Sequence, residues 1–180
     1  EAKRLFAEGM DEMGLFNSLR LLDLEASLHR DLFDFDQSLT LLAKAIAFAP
    51  TAERPRLLLK RAATLLQGGS YDLAIADLRE GLELAKGTND PRLLFGFHFN
   101  LSTNYVSVGD ATAARSHFPE VLALARQGGN ELDQLRTHWL AGKIAEAEGS
   151  SNAAISIFES TAEAFADLGL TADAARAGLE

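Results

Sequence analysis

Apolar residues recur along this chain with the three- and four-residue spacing of amphipathic helices. Between Phe95 and Leu124, a first helical stripe contains Leu101 and Tyr105. The pair Gly109-Asp110 then interrupts the pattern, and glycine is a common helix stop. The second stripe consists of Ala114, Phe118 and Val121. This segment is therefore predicted to form two helices joined by a tight turn.

The same pair of helices recurs along the chain. A small residue near the start of each second helix is found at Ser38, Ala74, Ala114 and Ala154, at intervals of 36, 40 and 40 residues. The bulky residue four positions later is Leu42, Leu78, Phe118 and Phe158. The preceding turns contain Asp34, Gly69, Gly109 and Gly149. Because each unit of a helical repeat buries its apolar face on its neighbour, this periodicity predicts stacked helical hairpins.

The third hairpin carries the residues of a known repeat pattern: the aromatic pair His98-Phe99, then Leu101-Ser102 and Tyr105, followed by Ala114 and Phe118. It resembles the tetratricopeptide repeat, and the two 40-residue intervals are similar to the longer repeats of bacterial peptide-sensing regulators and signalling scaffolds. The resemblance implies an all-α fold, a right-handed α-solenoid of helix-turn-helix repeats. It also implies a non-catalytic scaffold that binds a peptide or a partner segment in a concave groove.

The pattern predicts one domain with ten helices over residues 1–180. These form the second helix of a preceding repeat at 1–14, four repeats at about 17–50, 53–88, 91–128 and 131–168, and a final helix at 171–180. In the first repeat, the residues expected to point inward are Leu21, Leu22, Leu24 and Leu28. The chain starts and stops inside helical patterns, so we expect a fragment of a longer protein, whose uncovered ends favour end-to-end self-association.

Composition narrows the function classes. The 17 basic and 26 acidic residues give a net charge of −9, which opposes a general nucleic-acid surface. The chain has no cysteine, which excludes disulfides, thiolate metal sites and cysteine nucleophiles. No apolar run approaches the ~20 residues that span a bilayer, and no signal peptide is recognisable. We therefore expect a cytoplasmic protein that binds neither nucleic acid nor membrane.

Motifs for catalysis and for cofactors are missing from the sequence. It contains no Gly-x-Ser-x-Gly string, no phosphate-binding loop and no His-Glu-x-x-His spacing. His98 and His138 occupy equivalent positions in neighbouring repeats, where they could approach one another and bind a metal. Because the repeat pattern places a packed aromatic residue there, we expect both to be core residues instead. The sequence predicts no enzyme, no cofactor and no metal.

The resemblance selects the inward positions of the first helices as the binding groove. The residues proposed to bind the ligand are Arg56, Leu59, Ala63, Phe99, Asn100, Thr103, Arg136, Trp139 and Lys143. The other inward positions are Arg20, Asp23, Ser27, Arg30, Asp31, Leu66, Gln67, Val106 and Glu146. Together they contain five basic and three acidic residues, so an acidic segment with apolar anchors is the expected ligand. Alternatively, the aromatic residues belong to the core and the charges are solvated, or another domain of the same regulatory protein fills the groove.

Three further residues leave alternatives open. Glu25 and Arg61 stand where the third repeat has Leu101, so they either form an ion pair between adjacent helices or remain solvated. Asn100 either contacts a ligand backbone or makes a hydrogen bond within the framework.

Overall fold

A computed structural model describes residues 12–128 and 130–170. Within these ranges the chain forms eight α-helices and no strand. They are α1 (Glu12–Asp31), α2 (Phe35–Phe48), α3 (Arg54–Gln67), α4 (Tyr71–Ala85), α5 (Pro91–Ser107), α6 (Ala111–Gly128), α7 (Glu131–Ala147) and α8 (Ser151–Asp167). The all-α class is thus confirmed. The predicted helix at 171–180, and most of the predicted helix at 1–14, lie outside the described residues.

Consecutive helices pack against each other as a helical repeat requires. The hairpins are α1 with α2, α3 with α4, α5 with α6, and α7 with α8. The second helix of one hairpin also packs on the first helix of the next, as α2 does on α3 and α6 on α7. The chain divides into two compact units, Glu1–Asn89 and Asp90–Glu180. The first unit contains α1 to α4, and the second contains α5 to α8.

Three of the hairpin turns close on a glycine in the left-handed conformation. Gly69, Gly109 and Gly149 have φ values of 77°, 80° and 79°. In each turn the next N–H donates to the carbonyl five residues back, as Ser70 does to Leu65 over 2.8 Å. This bond is the signature of a Schellman motif, which satisfies the last carbonyls of a helix. The predicted glycine turns are therefore confirmed.

The turn between α1 and α2 uses the same hydrogen bond without a glycine. The N–H of Asp34 donates to the carbonyl of His29 over 2.8 Å, and Phe33 takes the left-handed position with a φ of 61°. A side chain with a Cβ is strained in this conformation. The Phe33 side chain is also 79% exposed. The first hairpin therefore keeps the turn geometry of the others at a conformational cost.

Helix starts follow the capping residues predicted from the sequence. Asp90 accepts hydrogen bonds from the N–H groups of Arg92 and Leu93, and Pro91 occupies the first helical position. Asn130 caps α7 by accepting from the N–H of Leu132. These caps fix where the first helix of each repeat in the second unit begins.

The recurring small residues are buried. Ser38, Ala74 and Ala114 are 0% exposed and Ala154 is 3% exposed. Ser38 donates its hydroxyl to the carbonyl of Ala26 across the first hairpin over 2.8 Å. In the first unit, the core that joins α1, α2 and α3 consists of Leu19, Ala26, Leu41, Leu42, Ala45, Ile46, Leu57 and Leu58.

The first helix differs from its prediction in both its start and its buried face. One continuous helix runs from Glu12 to Asp31, and the hydroxyl of Ser18 donates to the carbonyl of Gly14 instead of capping a new helix. Its buried face contains Leu19, Asp23 and Ala26. The prediction that Leu21, Leu24 and Leu28 point inward is wrong, since they are 57%, 68% and 59% exposed, and only Leu22 packs partly against the core.

Candidate functional site

All nine residues proposed for the groove lie on the first helices of their repeats. Arg56, Leu59 and Ala63 are on α3 in the first unit. In the second unit, Phe99, Asn100 and Thr103 are on α5, while Arg136, Trp139 and Lys143 are on α7. None of the nine is fully buried. Because they divide between two compact units, the two groups are described separately.

A buried carboxylate organises the groove residues of the first unit. Asp23 on α1 is 7% exposed and accepts from the Nη1 of Arg56 over 2.7 Å and from the Nζ of Lys60 over 2.5 Å. Arg56 also donates its Nε to Glu53 over 3.2 Å. These bonds hold the guanidinium and ammonium groups of α3 against α1. Lys60 was missed by the sequence analysis, although its position one turn after Arg56 places both cations on one side of α3.

The ion pairs set the protonation states of this cluster. Burial by itself raises the pKa of Asp23, but the hydrogen bonds and positive charges of Arg56 and Lys60 outweigh it and lower that pKa below its ordinary value. For Arg56, burial lowers the pKa, while the bonds to Asp23 and Glu53 raise it by more. Asp23 is therefore ionised at neutral pH, and Arg56 keeps its positive charge.

An open cavity of about 280 Å³ lies beside this cluster, between α1 and the start of α3. Its lining residues are Leu19, Arg20, Asp23, Glu53, Arg56 and Leu57. The lining combines two leucines with two arginines, Arg20 and Arg56, and two carboxylates, both of which bond to Arg56. Such a cavity can accept a small apolar side chain together with an adjacent anionic group.

The predicted ion pair between Glu25 and Arg61 is wrong. Arg61 instead makes two hydrogen bonds to Asp77 on α4, each 2.6 Å long, and Asp77 is 7% exposed. These bonds raise the pKa of Arg61 further. Glu25 is exposed. The reason is geometric, because Arg61 faces its own hairpin partner and Glu25 lies on the solvent side of α1.

On α5, the polar groove residues are tied to their own helix. The amide of Asn100 donates to the carbonyl of Gly96 over 2.8 Å, and the hydroxyl of Thr103 donates to the carbonyl of Phe99 over 2.9 Å. The Phe99 ring stacks on Phe95 at a centroid distance of 5.6 Å. The hydrogen bond of Asn100 matches the framework role that the sequence left open.

On α7, Trp139 lies partly buried against the cluster formed by Ala145, Ala154 and Phe158. Its indole N–H is buried, and no acceptor lies within hydrogen-bonding distance among the described residues. Lys143 donates to Glu146 over 3.1 Å. Trp139 therefore contributes to the packing of α7 on α8 and also keeps an accessible edge.

The basic surplus of the predicted groove is largely paired within the protein. Arg30 contacts Asp31, Arg56 contacts Asp23 and Glu53, Arg136 contacts Asp133, and Lys143 contacts Glu146. Glu53 and Asp133 were absent from the predicted set, although each precedes its arginine by three residues, a spacing that favours helical ion pairs. Arg20 is the remaining basic residue of the predicted groove, and it lines the first-unit cavity.

The structure separates the two histidines considered as a metal pair. The Nδ1 of His98 lies 3.1 Å from the Nδ1 of His117 on α6, and the ring of His117 stacks on Tyr105. The Nδ1 of His138 lies 2.9 Å from the hydroxyl of Thr161 on α8. Each histidine of the proposed pair thus faces the second helix of its own hairpin. In the described ranges, no three His, Cys, Asp or Glu side chains are grouped so that they could hold a metal ion.

None of the helices in the described ranges is both long enough and apolar enough to cross a membrane. The chain matches no known protein-family model, and a search of curated proteins finds no significant relative.

Proposed function

We propose that this chain is a non-catalytic protein-interaction module, a right-handed solenoid of tetratricopeptide-like hairpins whose first helices bind an extended segment of a partner protein. The observation that carries the proposal is the cavity between α1 and α3, whose lining combines two leucines with the exposed Arg20 and with Arg56, which Asp23 and Glu53 hold in place. It lies on the first helices, where the resemblance places the groove. The recurrence of the hairpin turns and of the buried small residues supports the repeat architecture.

The hydrogen bonds of Arg56 indicate how an acidic ligand would be held. Its Nε and Nη1 groups donate to Glu53 and Asp23, which fixes the plane of the guanidinium and leaves the Nη2 group for a ligand oxygen. A fixed guanidinium loses little side-chain entropy when it binds. Arg20, which is exposed on the same rim, supplies a second cation. We therefore propose a ligand with a small apolar anchor beside Asp or Glu.

The test begins with selection from a displayed library of random short peptides, followed by affinity measurement of the enriched peptides by fluorescence anisotropy. We expect enrichment of an apolar residue next to an acid, and affinity that falls as salt screens the rim. Arg20→Glu should weaken binding roughly tenfold or more, since it reverses one charge at the cavity. Lys44→Glu is the matched control, because Lys44 is exposed on the second helix α2.

Two results would overturn the proposal: no peptide enrichment, or equal affinity in the Arg20→Glu and Lys44→Glu proteins together with no dependence on salt. Arg56→Glu is less informative on its own, since it also removes the partner of a buried carboxylate. Peptide binding that appears only after proteolytic release from a longer protein would indicate that the groove is filled in cis.

A further inference from the structure

The exposed side of α1 carries a continuous row of leucines. Leu21, Leu24, Leu28 and Leu32 are 57%, 68%, 59% and 66% exposed. Their spacing of three, four and four residues places them on one helical face about 16 Å long, here called the α1 leucine stripe. The opposite side of α1 is buried at Leu19, Asp23 and Ala26. The first helix is therefore apolar on two sides, and only one of them is covered by the described residues.

Equivalent positions in other first helices show what such a face normally does. The repeat intervals place Leu57 and Thr64 of α3, and Thr137 and Ile144 of α7, at the positions of Leu21 and Leu28. All four are at most 3% exposed. Both helices pack on the second helix of the preceding hairpin, as α3 does on α2 and α7 on α6. The α1 leucine stripe is thus a helix-packing face, and its natural occupant is another helix.

A second copy of α1 fits the stripe in both shape and charge. Two identical leucine rows can interdigitate along their whole length, which is the requirement for an isologous two-fold interface. The stripe is flanked by the exposed Arg20 and Asp31 on one side and by the exposed Glu25 on the other. In an antiparallel pair, Arg20 lies near Asp31 of the second copy, and in a parallel pair it lies near Glu25. We propose that the α1 leucine stripe is a self-association face, through which two copies of this chain pair by their first helices.

Arg20 takes part in both proposals, but the leucines of the stripe and Asp23 lie on different sides of α1, so substitutions of the leucines test self-association separately from peptide binding in the groove. The decisive measurement is sedimentation equilibrium of the 180-residue chain over a roughly hundredfold range of concentration. We expect a reversible monomer–dimer equilibrium. Leu24→Gln with Leu28→Gln should raise the dimer dissociation constant roughly tenfold or more, because four exposed leucines leave the interface. Leu73→Gln is the control, since Leu73 is 62% exposed on α4.

The chain has no cysteine, so single introduced cysteines report on the same contact without interference. Leu24→Cys should form a disulfide-linked dimer on mild oxidation if the helices are parallel, and a mixture of Leu24→Cys with Leu28→Cys should do so if they are antiparallel. Leu73→Cys should not cross-link. A strictly monomeric wild type, a dimer unaffected by the double glutamine change, or equal cross-linking of all three cysteine proteins would overturn the proposal.

Discussion

Gly142 is a closely packed glycine of α7, and replacing it by alanine tests the packing of α7 on α8. A Cβ atom at this position would lie 2.5 Å and 2.8 Å from two ring carbons of Phe158, and 3.1 Å from a methyl carbon of Ile157. The Phe158 side chain is only 5% exposed, so its ring has little room to move away. The close approach of the two helices therefore depends on the missing side chain at residue 142.

Two opposing effects set the expected magnitude. Alanine gains about 1 kcal/mol over glycine in a helix interior. Overpacking a well-ordered core costs about 1–3 kcal/mol. Gly142→Ala should therefore lower the free energy of unfolding by about 1 kcal/mol, or the melting temperature by roughly 2–4 °C. Gly128→Ala is the matched control, because a Cβ there meets nothing within 4 Å, and this change should be neutral or slightly stabilising.

Urea denaturation followed by circular dichroism measures both variants. A double-mutant cycle with Phe158→Leu then identifies the cause. Phe158→Leu alone should cost roughly 1 kcal/mol, but in the Gly142→Ala background it should cost clearly less, because the smaller side chain relieves the clash. The reasoning is refuted if Gly142→Ala stabilises the protein as much as Gly128→Ala does, or if the two changes are simply additive.

Three further predictions concern the ion-pair cluster and the hairpin turns. Asp23→Asn should destabilise the protein by about 2 kcal/mol at neutral pH, less than for a fully buried pair because Arg56 and Lys60 remain partly exposed. Because the pKa of Asp23 is lowered in the folded protein, its stabilising contribution is fully present above the ordinary aspartate pKa and is lost as the pH falls through the lowered value. Denaturation at several pH values should therefore show that the variant loses less stability on acidification than the wild type. Equal losses in the two proteins would contradict the assignment. Phe33→Gly should stabilise the first hairpin by roughly 0.5–1 kcal/mol by removing left-handed strain, offset in part by the lost edge contact with Phe35, and a lower thermal midpoint would count against it. Gly149 also has a positive φ, and a Cβ added there would meet nothing within 4 Å, so Gly149→Ala should cost about 1 kcal/mol through backbone strain alone in the same assay. A neutral result would show that the turn relaxes freely.

The sequence determined the features that depend on local spacing. The helical period, the caps at Asp90 and Asn130, and the turns at Gly69, Gly109 and Gly149 all follow from neighbouring residues, and the structure places them as predicted. The buried small residues Ser38, Ala74, Ala114 and Ala154 followed from the repeat interval. These features are local because backbone conformation and capping involve residues within about one helical turn.

Only the tertiary structure decided which face of a helix is buried and which partner a charge selects. On α1, leucines occupy both sides, so periodicity could not distinguish buried Leu19 from exposed Leu24. Arg61 pairs with Asp77, and His98 lies beside His117, because each side chain faces the second helix of its own hairpin rather than the equivalent position in the next repeat. The sequence pattern placed Asp23 among the inward residues of the groove, yet its carboxylate is buried and forms ion pairs with Arg56 and Lys60 of α3. Such pairings depend on the rotation and approach of helices that are distant in sequence, which local spacing does not encode.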